Sequence, residues 1–268
     1  MNRNLYFKEL RRSRKNFLIW ASIIIGFTLM ILSLYPSMAK MGDSLTMMME
    51  SLPEEFTKAF GMDENTWSNM NGYYSTYYGI YIILLMSIYT ASTAATIITK
   101  EARDGTAEFL YTRPISRKSL VQTKVAVMGT LMMAIFIIQT ALAIAGFEMF
   151  GEGNVDWEAV KIMHVHGFFL VLLFTSLGFL IASFLNPKMN FMGMIVGMVF
   201  GTYFLNTISQ VSETAEFLGY ASPYHYLTFT FQPGAAEAAW LGIACFVAMS
   251  LGSLAWGMHR YRTADIDG

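Results

Sequence analysis

His166–Leu185, HGFFLVLLFTSLGFLIASFL, is followed by Asn186-Pro187-Lys188 and then by Met189–Asn206, MNFMGMIVGMVFGTYFLN. Neither apolar run carries a charge. Each is about long enough to cross a hydrocarbon core of roughly 30 Å at about 1.5 Å per helical residue. The three-residue connection forces the two helices into an antiparallel hairpin. Phe17–Leu34, Tyr78–Thr99, Val121–Phe147 and Ala238–Met258 meet the same test. The sequence therefore predicts an all-α membrane protein with six transmembrane helices, forming one domain over residues 1–268 without an internal repeat.

Composition agrees. Of 268 residues, 54% are apolar and only 14% charged, against about 25% charged in a soluble domain. A soluble enzyme is excluded, because so few charges cannot coat a sphere of this size. A net charge of -1 argues against nucleic acid as a partner. One cysteine, Cys245, rules out an internal disulfide framework. The first apolar run is preceded by Arg11–Lys15 and followed by Ser37-Met38-Ala39, as a signal peptide would be. Its 18 residues exceed the usual 7–15 or so of such a segment, so it reads as a retained helix.

Basic residues set the expected orientation. Fifteen of the 18 lie in residues 1–16, in the second and fourth connections and their flanks, or after the last span. Only Lys40, Lys58 and Lys161 fall on the other side. By the positive-inside rule both termini face the cytoplasm, in a multi-pass protein of the cell membrane. Lys124, near the inner end of the third span, is expected to snorkel. The outer connections, Tyr35–Tyr77, Glu148–Val165 and Thr207–Glu237, carry 13 of the 19 acids.

Residues 1–16 predict an amphipathic interfacial helix on the inner leaflet. Tyr6, Leu10 and Phe17 recur near helical spacing, while Lys8, Arg11, Arg12, Arg14 and Lys15 crowd the remaining surface and favour anionic membrane lipid. The inner stretch Lys100–Arg117, KEARDGTAEFLYTRPISR, holds the densest information. Asp104-Gly105 should break the helix leaving the second span, Thr106 can cap a new one, and Pro114 should stop it. The result is a cytoplasmic stub presenting Phe109, Leu110 and Tyr111 beside Arg103, Glu108 and Arg113. That chemistry suits docking to a protein; the plainer alternative is a solvated loop with its rings among headgroups.

This stretch resembles the loop between spans two and three in permease subunits of type-2 ATP-binding-cassette (ABC) exporters. That loop reads acid, Gly-Thr, Glu and a Pro-hydrophobic-Ser-Arg ending, places held here by Glu101, Gly105-Thr106, Glu108 and Pro114-Ile115-Ser116-Arg117. Leu52-Pro53-Glu54 with Phe60-Gly61 is similar to the family's first outer loop, and Ser222-Pro223-Tyr224-His225-Tyr226 to its short outer helices before span six. The resemblance implies a cytoplasmic coupling helix, with Glu101, Gly105, Thr106, Glu108, Phe109, Leu110, Arg113 and Pro114 engaging a separate ATPase. It also implies two copies of that ATPase and a second permease chain, identical or a sister. The chain has no Gly-x-x-x-x-Gly-Lys-[Ser/Thr] loop, so ATP and Mg would be bound by the partner and no cofactor by this chain.

Gly193, Gly197 and Gly201 share one face of the fifth span, an arrangement that lets helices approach closely. Their neighbour is either another span of the same chain or the partner permease; the family resemblance favours the partner. Gln139, deep in the third span, serves either a neighbouring helix or the substrate path. His164 and His166 read as interfacial anchors rather than metal ligands, since no third ligand accompanies them. Tyr73, Tyr74, Tyr77, Tyr78 and Tyr81 form an aromatic belt or line a ligand path. Met47-Met48-Met49 reads as flexible packing or as a tolerant apolar contact. The expected function is ATP-driven export of an amphipathic or hydrophobic solute such as a peptide, drug or lipid. The rivals are a secondary transporter, which lacks the buried Asp or Glu it would need, and an intramembrane hydrolase, which lacks a nucleophile motif.

Overall fold

A computed structural model describes residues 2–59, 62, 66–67, 69–106, 116–186, 189–227, 229 and 239–263. Six helices long and apolar enough to cross a membrane appear among them. The first span is α1 (Arg3–Lys40), followed by the short helices α2 (Gly42–Glu50) and α3 (Glu54–Ala59). The second combines α4 (Met70–Tyr77), a π-helical turn (Tyr78–Ile82) and α5 (Ile83–Arg103). Spans three to five are α6 (Arg117–Phe150), α7 (Trp157–Phe184) and α8 (Phe191–Val211). Two 3-10 helices, Glu213–Ala221 and Pro223–Tyr226, precede the last span, α9 (Trp240–Thr263).

The helices outrun the apolar runs that announce them. Helix α7 begins nine residues before His166, because Asp156 caps it by accepting from the Ala159 N–H at 3.0 Å. A short turn with Glu152 and Gly153 at positive φ joins it to α6, so the connection runs only from 151 to 156 where the apolar runs left Glu148–Val165 between spans. At the other end of the chain order, α1 runs unbroken from its Asn2 cap into the first span. No separate helix over residues 1–16 appears. Nothing between Arg3 and Tyr35 is Gly or Pro except Gly26, so no residue in the first four turns interrupts the ladder.

The second span lies at the centre. Its composition explains why: Ser87, Thr90, Ala91, Ser92, Thr93, Ala94 and Ala95 are small, so neighbours approach closely, and all are buried. Hydroxyls of this span bond back along the helix, as Ser92 Oγ does to Tyr89 O at 3.0 Å and Thr99 Oγ1 to Ala95 O at 2.8 Å. Thr175 Oγ1 of α7 also donates to Thr90 Oγ1 at 2.8 Å. A Cβ added to Gly178 would meet the Ala91 carbonyl oxygen at 2.5 Å. Helices α5 and α7 therefore touch backbone to backbone at a glycine, which hydropathy alone does not single out.

Helix directions follow from pairs at each end. The Tyr73 hydroxyl donates to Ile31 O at 3.0 Å, while Arg12 pairs with Asp104 at 2.6 Å, so α1 and the second span are antiparallel. The Asn2 N–H donates to Thr123 Oγ1 at 3.0 Å, and Tyr6 bonds Thr130 at 2.8 Å. Leu32 lies beside Gly146. Helices α1 and α6 are therefore parallel. One end of the bundle gathers the charges of residues 9–12, 100–104 and 124; the other gathers the tyrosines of α4 and the two 3-10 helices.

Candidate functional site: the charged root of the 106–116 segment

Helix α5 ends in a Schellman motif. The Thr106 N–H donates to Glu101 O at 2.8 Å and the Gly105 N–H to Ala102 O at 3.4 Å. Gly105 sits at φ +66°, a left-handed conformation that costs glycine little and other residues more. The expected break at Asp104-Gly105 is thus present. Thr106 points its hydroxyl back, 3.5 Å from Glu101 O.

Three ion pairs tie this helix end to its neighbours. Lys124 of α6 is 1% exposed, donates to Glu101 Oε2 at 2.6 Å and also donates to Ile97 O. It does not snorkel. Its ammonium turns inward because Glu101 and a carbonyl lie within reach, which satisfies a buried cation better than a long path to the surface. Lys100 pairs with buried Glu9 at 3.7 Å, and Arg12 with Asp104 at 2.6 Å in a more exposed setting. Glu9 and Arg12 come from α1, Lys100 and Glu101 from α5, Asp104 from the cap at its end, and Lys124 from α6. The cluster therefore binds the first three spans at the point where the chain leaves the second.

The far side of the same segment is pinned as well. Ser116 caps α6 by accepting from the Ser119 N–H at 3.2 Å. Arg117 donates to Arg262 O at the end of α9 at 3.2 Å. Beside the cluster, Asn4, Phe7, Lys8, Arg11 and Arg12 line a crevice of about 470 Å³ on the basic face of α1.

Among the residues assigned to ATPase coupling, the structure brings Glu101, Gly105 and Thr106 together at this root. Glu101 faces Lys124 rather than outward. Glu108, Phe109, Leu110, Arg113 and Pro114 lie outside the described residues. Among the described residues, Gly193, Gly197 and Gly201 have nothing within 4 Å of where a Cβ would stand, so no described span packs on that face. Gln139 is fully buried and donates to the Tyr74 hydroxyl at 2.7 Å, linking α6 to α4. Its Oε1 has no partner among the described residues.

The two histidines are buried links, not surface anchors. His166 Nε2 accepts from the Ala239 N–H at 3.2 Å, and His164 Nδ1 bonds Val160 O at 2.8 Å. The short helices after α8 are held by Ser222, whose Oγ donates to Thr202 O at 2.7 Å. Tyr224 packs between Phe174 and Tyr203.

A family model described as ABC-2 family transporter protein matches residues 3–266. The chain belongs to the ABC-2 transporter family. Among curated proteins none matches it. Membership covers all six spans and the charged root alike. An ABC-2 permease is the membrane subunit of an ABC transporter, and its ATPase is a partner chain. Sequence reasoning missed the Lys124–Glu101 pair. The signal was there, in a lysine seven residues into an apolar helix and an acid at the end of the preceding one.

Proposed function

We propose that this ABC-2 permease exports an amphipathic or hydrophobic solute from the cell membrane, driven by two copies of a cytoplasmic ATPase that dock on the 106–116 segment. The observation that carries the reading is the charged root. Both ends of the segment are fixed to spans, by Glu101, Asp104 and Lys100 on one side and by Ser116 and Arg117 on the other. A push on the segment would reach α1, α5 and α6 through the ion pairs, and α9 through Arg117. Phe109 and Leu110 would enter the ATPase groove, with Glu108 and Arg113 at its rim and Pro114 ending the contact. ATP and Mg would stay in the ATPase, and this chain would bind no cofactor.

A second permease chain would cover the uncovered glycine face of α8, where small residues allow close approach. The basic face of α1, with its Lys8–Arg11 crevice, would meet anionic membrane lipid on the cytoplasmic side, with both termini there. Gln139, bonded helix to helix, would shape the span packing along the substrate path rather than line it. The test is purification of the tagged chain from its native membrane. The expected result is co-elution of a phosphate-loop ATPase at one copy per permease. A preparation active in transport but free of any ATPase would refute the reading.

A further inference from the structure

The crevice on α1 lies at a depth that points to its occupant. Asn2 and Tyr6 bond Thr123 and Thr130, two and nine residues past Val121, where the apolar run of α6 begins. The first turns of α1 therefore lie alongside membrane-spanning surface, not out beyond it. Lys8 and Arg11 nevertheless face outward there, lining about 470 Å³ together with Asn4, Phe7 and Arg12. Neither cation forms an ion pair among the described residues. Leu18, Ile19 and Ile23 continue the same exposed face, each about half exposed. The face thus changes from apolar to cationic along one helix, with Arg11 and Leu18 about 10 Å apart. That is the order of an acyl chain and its phosphate, and it sets the cations in the headgroup zone. A soluble acidic partner would match the charge but not the apolar continuation.

Arg12 is shared between this crevice and the charged root. It lines the one and pairs with Asp104, the cap of α5, in the other. Of the three ties at the root this is the accessible one, with side chains 40% and 36% exposed. Glu9 and Lys124, by contrast, hold their partners at 2% and 1% exposure. An exposed pair contributes little and gives way to a competing anion. We infer that an anionic phospholipid seats its phosphate on Lys8 and Arg11, and that this phosphate draws Arg12 off Asp104. Asp104 directly precedes Gly105, whose N–H helps close the end of α5. Its release loosens that closing turn while the two buried pairs still hold, so lipid occupancy sets how firmly the 106–116 segment is rooted. The lipid site stands without the ATPase; its consequence for transport rests on the coupling reading above.

The probe is phosphatidylglycerol, added to phosphatidylcholine nanodiscs that hold the full-length chain and its co-purifying subunits. Hydrogen exchange of peptides covering Glu101–Thr106, read by mass spectrometry, reports the tie. Phosphatidylglycerol should speed that exchange several-fold. Lys8→Gln should raise the amount needed for half the effect about fivefold, the contribution of one cation at an anionic surface. Lys8→Gln combined with Arg11→Gln should abolish the effect. Arg12→Gln should exchange fast in either lipid, because Asp104 then has lost its partner. Arg14→Gln with Lys15→Gln removes as much charge from outside the crevice and should shift the response far less. An equal shift in that variant would mean diffuse attraction only and overturn the site. Exchange that ignores phosphatidylglycerol would overturn the competition for Arg12, and soluble glycerol phosphate reproducing the effect would overturn the lipid as occupant. Lipid-dependent exchange beside a lipid-independent rate of ATP hydrolysis would uphold the lipid switch and count against the coupling reading instead.

Discussion

Removing one member of the Lys124–Glu101 pair should cost far more than removing both. Lys124 is 1% exposed, and its ammonium is held by Glu101 Oε2 at 2.6 Å and by Ile97 O. Glu101→Leu leaves that cation buried with a single carbonyl for company. Breaking a buried pair in this way costs about 3–5 kcal/mol. At about 2–4 °C per kcal/mol for a chain of this size, the melting midpoint should drop on the order of 10 °C. Lys124→Met with Glu101→Leu removes both charges and refills the space with apolar side chains. The double variant should recover most of the loss, because replacing such a pair by apolar groups is near neutral. The assay is thermal unfolding of the purified chain in mild detergent, followed by a double-mutant cycle. A Glu101→Leu variant as stable as the parent, or a double variant worse than either single one, would refute the buried-pair argument. If the pair also transmits force, the double variant should fold well yet transport poorly.

Three further outcomes follow. With Cys245→Ala as background, single cysteines at Ser51 and Ser212 should react with an impermeant reagent in intact cells, and one at Ser116 should not; labelling of Ser116 would reverse the orientation. Gly197→Leu should abolish crosslinking between cysteines on the α8 faces of two permease chains while each still inserts, because none of the described residues covers that face; undiminished crosslinking would place the partner elsewhere. Gly178→Val should impair folding more than Gly197→Leu, since its new side chain collides with the Ala91 backbone; equal melting midpoints in detergent would contradict the packing.

The six spans were legible in the sequence because hydropathy over about 20 residues is a strong signal and the membrane permits little else. The helix ends were not. Asp156 and Asn2 start their helices through local hydrogen bonds that no apolar count registers, and α1 continues through its basic stretch because nothing there interrupts it. At the candidate site, Asp104-Gly105 was readable, since a left-handed cap demands glycine. The orientation of Glu101 was not, because it depends on Lys124, 23 residues away on another helix. Lys124 itself looked like a snorkelling residue until its neighbours were in place. Gln139 and the two histidines show the same limit: their polarity was visible, but Tyr74, Val160 and Ala239 as partners come only from the packing.

The central claim is that an ATPase drives this permease through the 106–116 segment. The most direct measurement is ATP hydrolysis by the reconstituted complex in liposomes, with wild-type permease and with Phe109→Ala, alongside the amount of ATPase retained in a pull-down. A buried aromatic at an interface is worth about 2 kcal/mol or more, so Phe109→Ala should weaken ATPase binding at least tenfold and lower the permease-dependent rate to match. Wild-type retention and wild-type hydrolysis in that variant would reduce the segment to an ordinary loop and contradict the account.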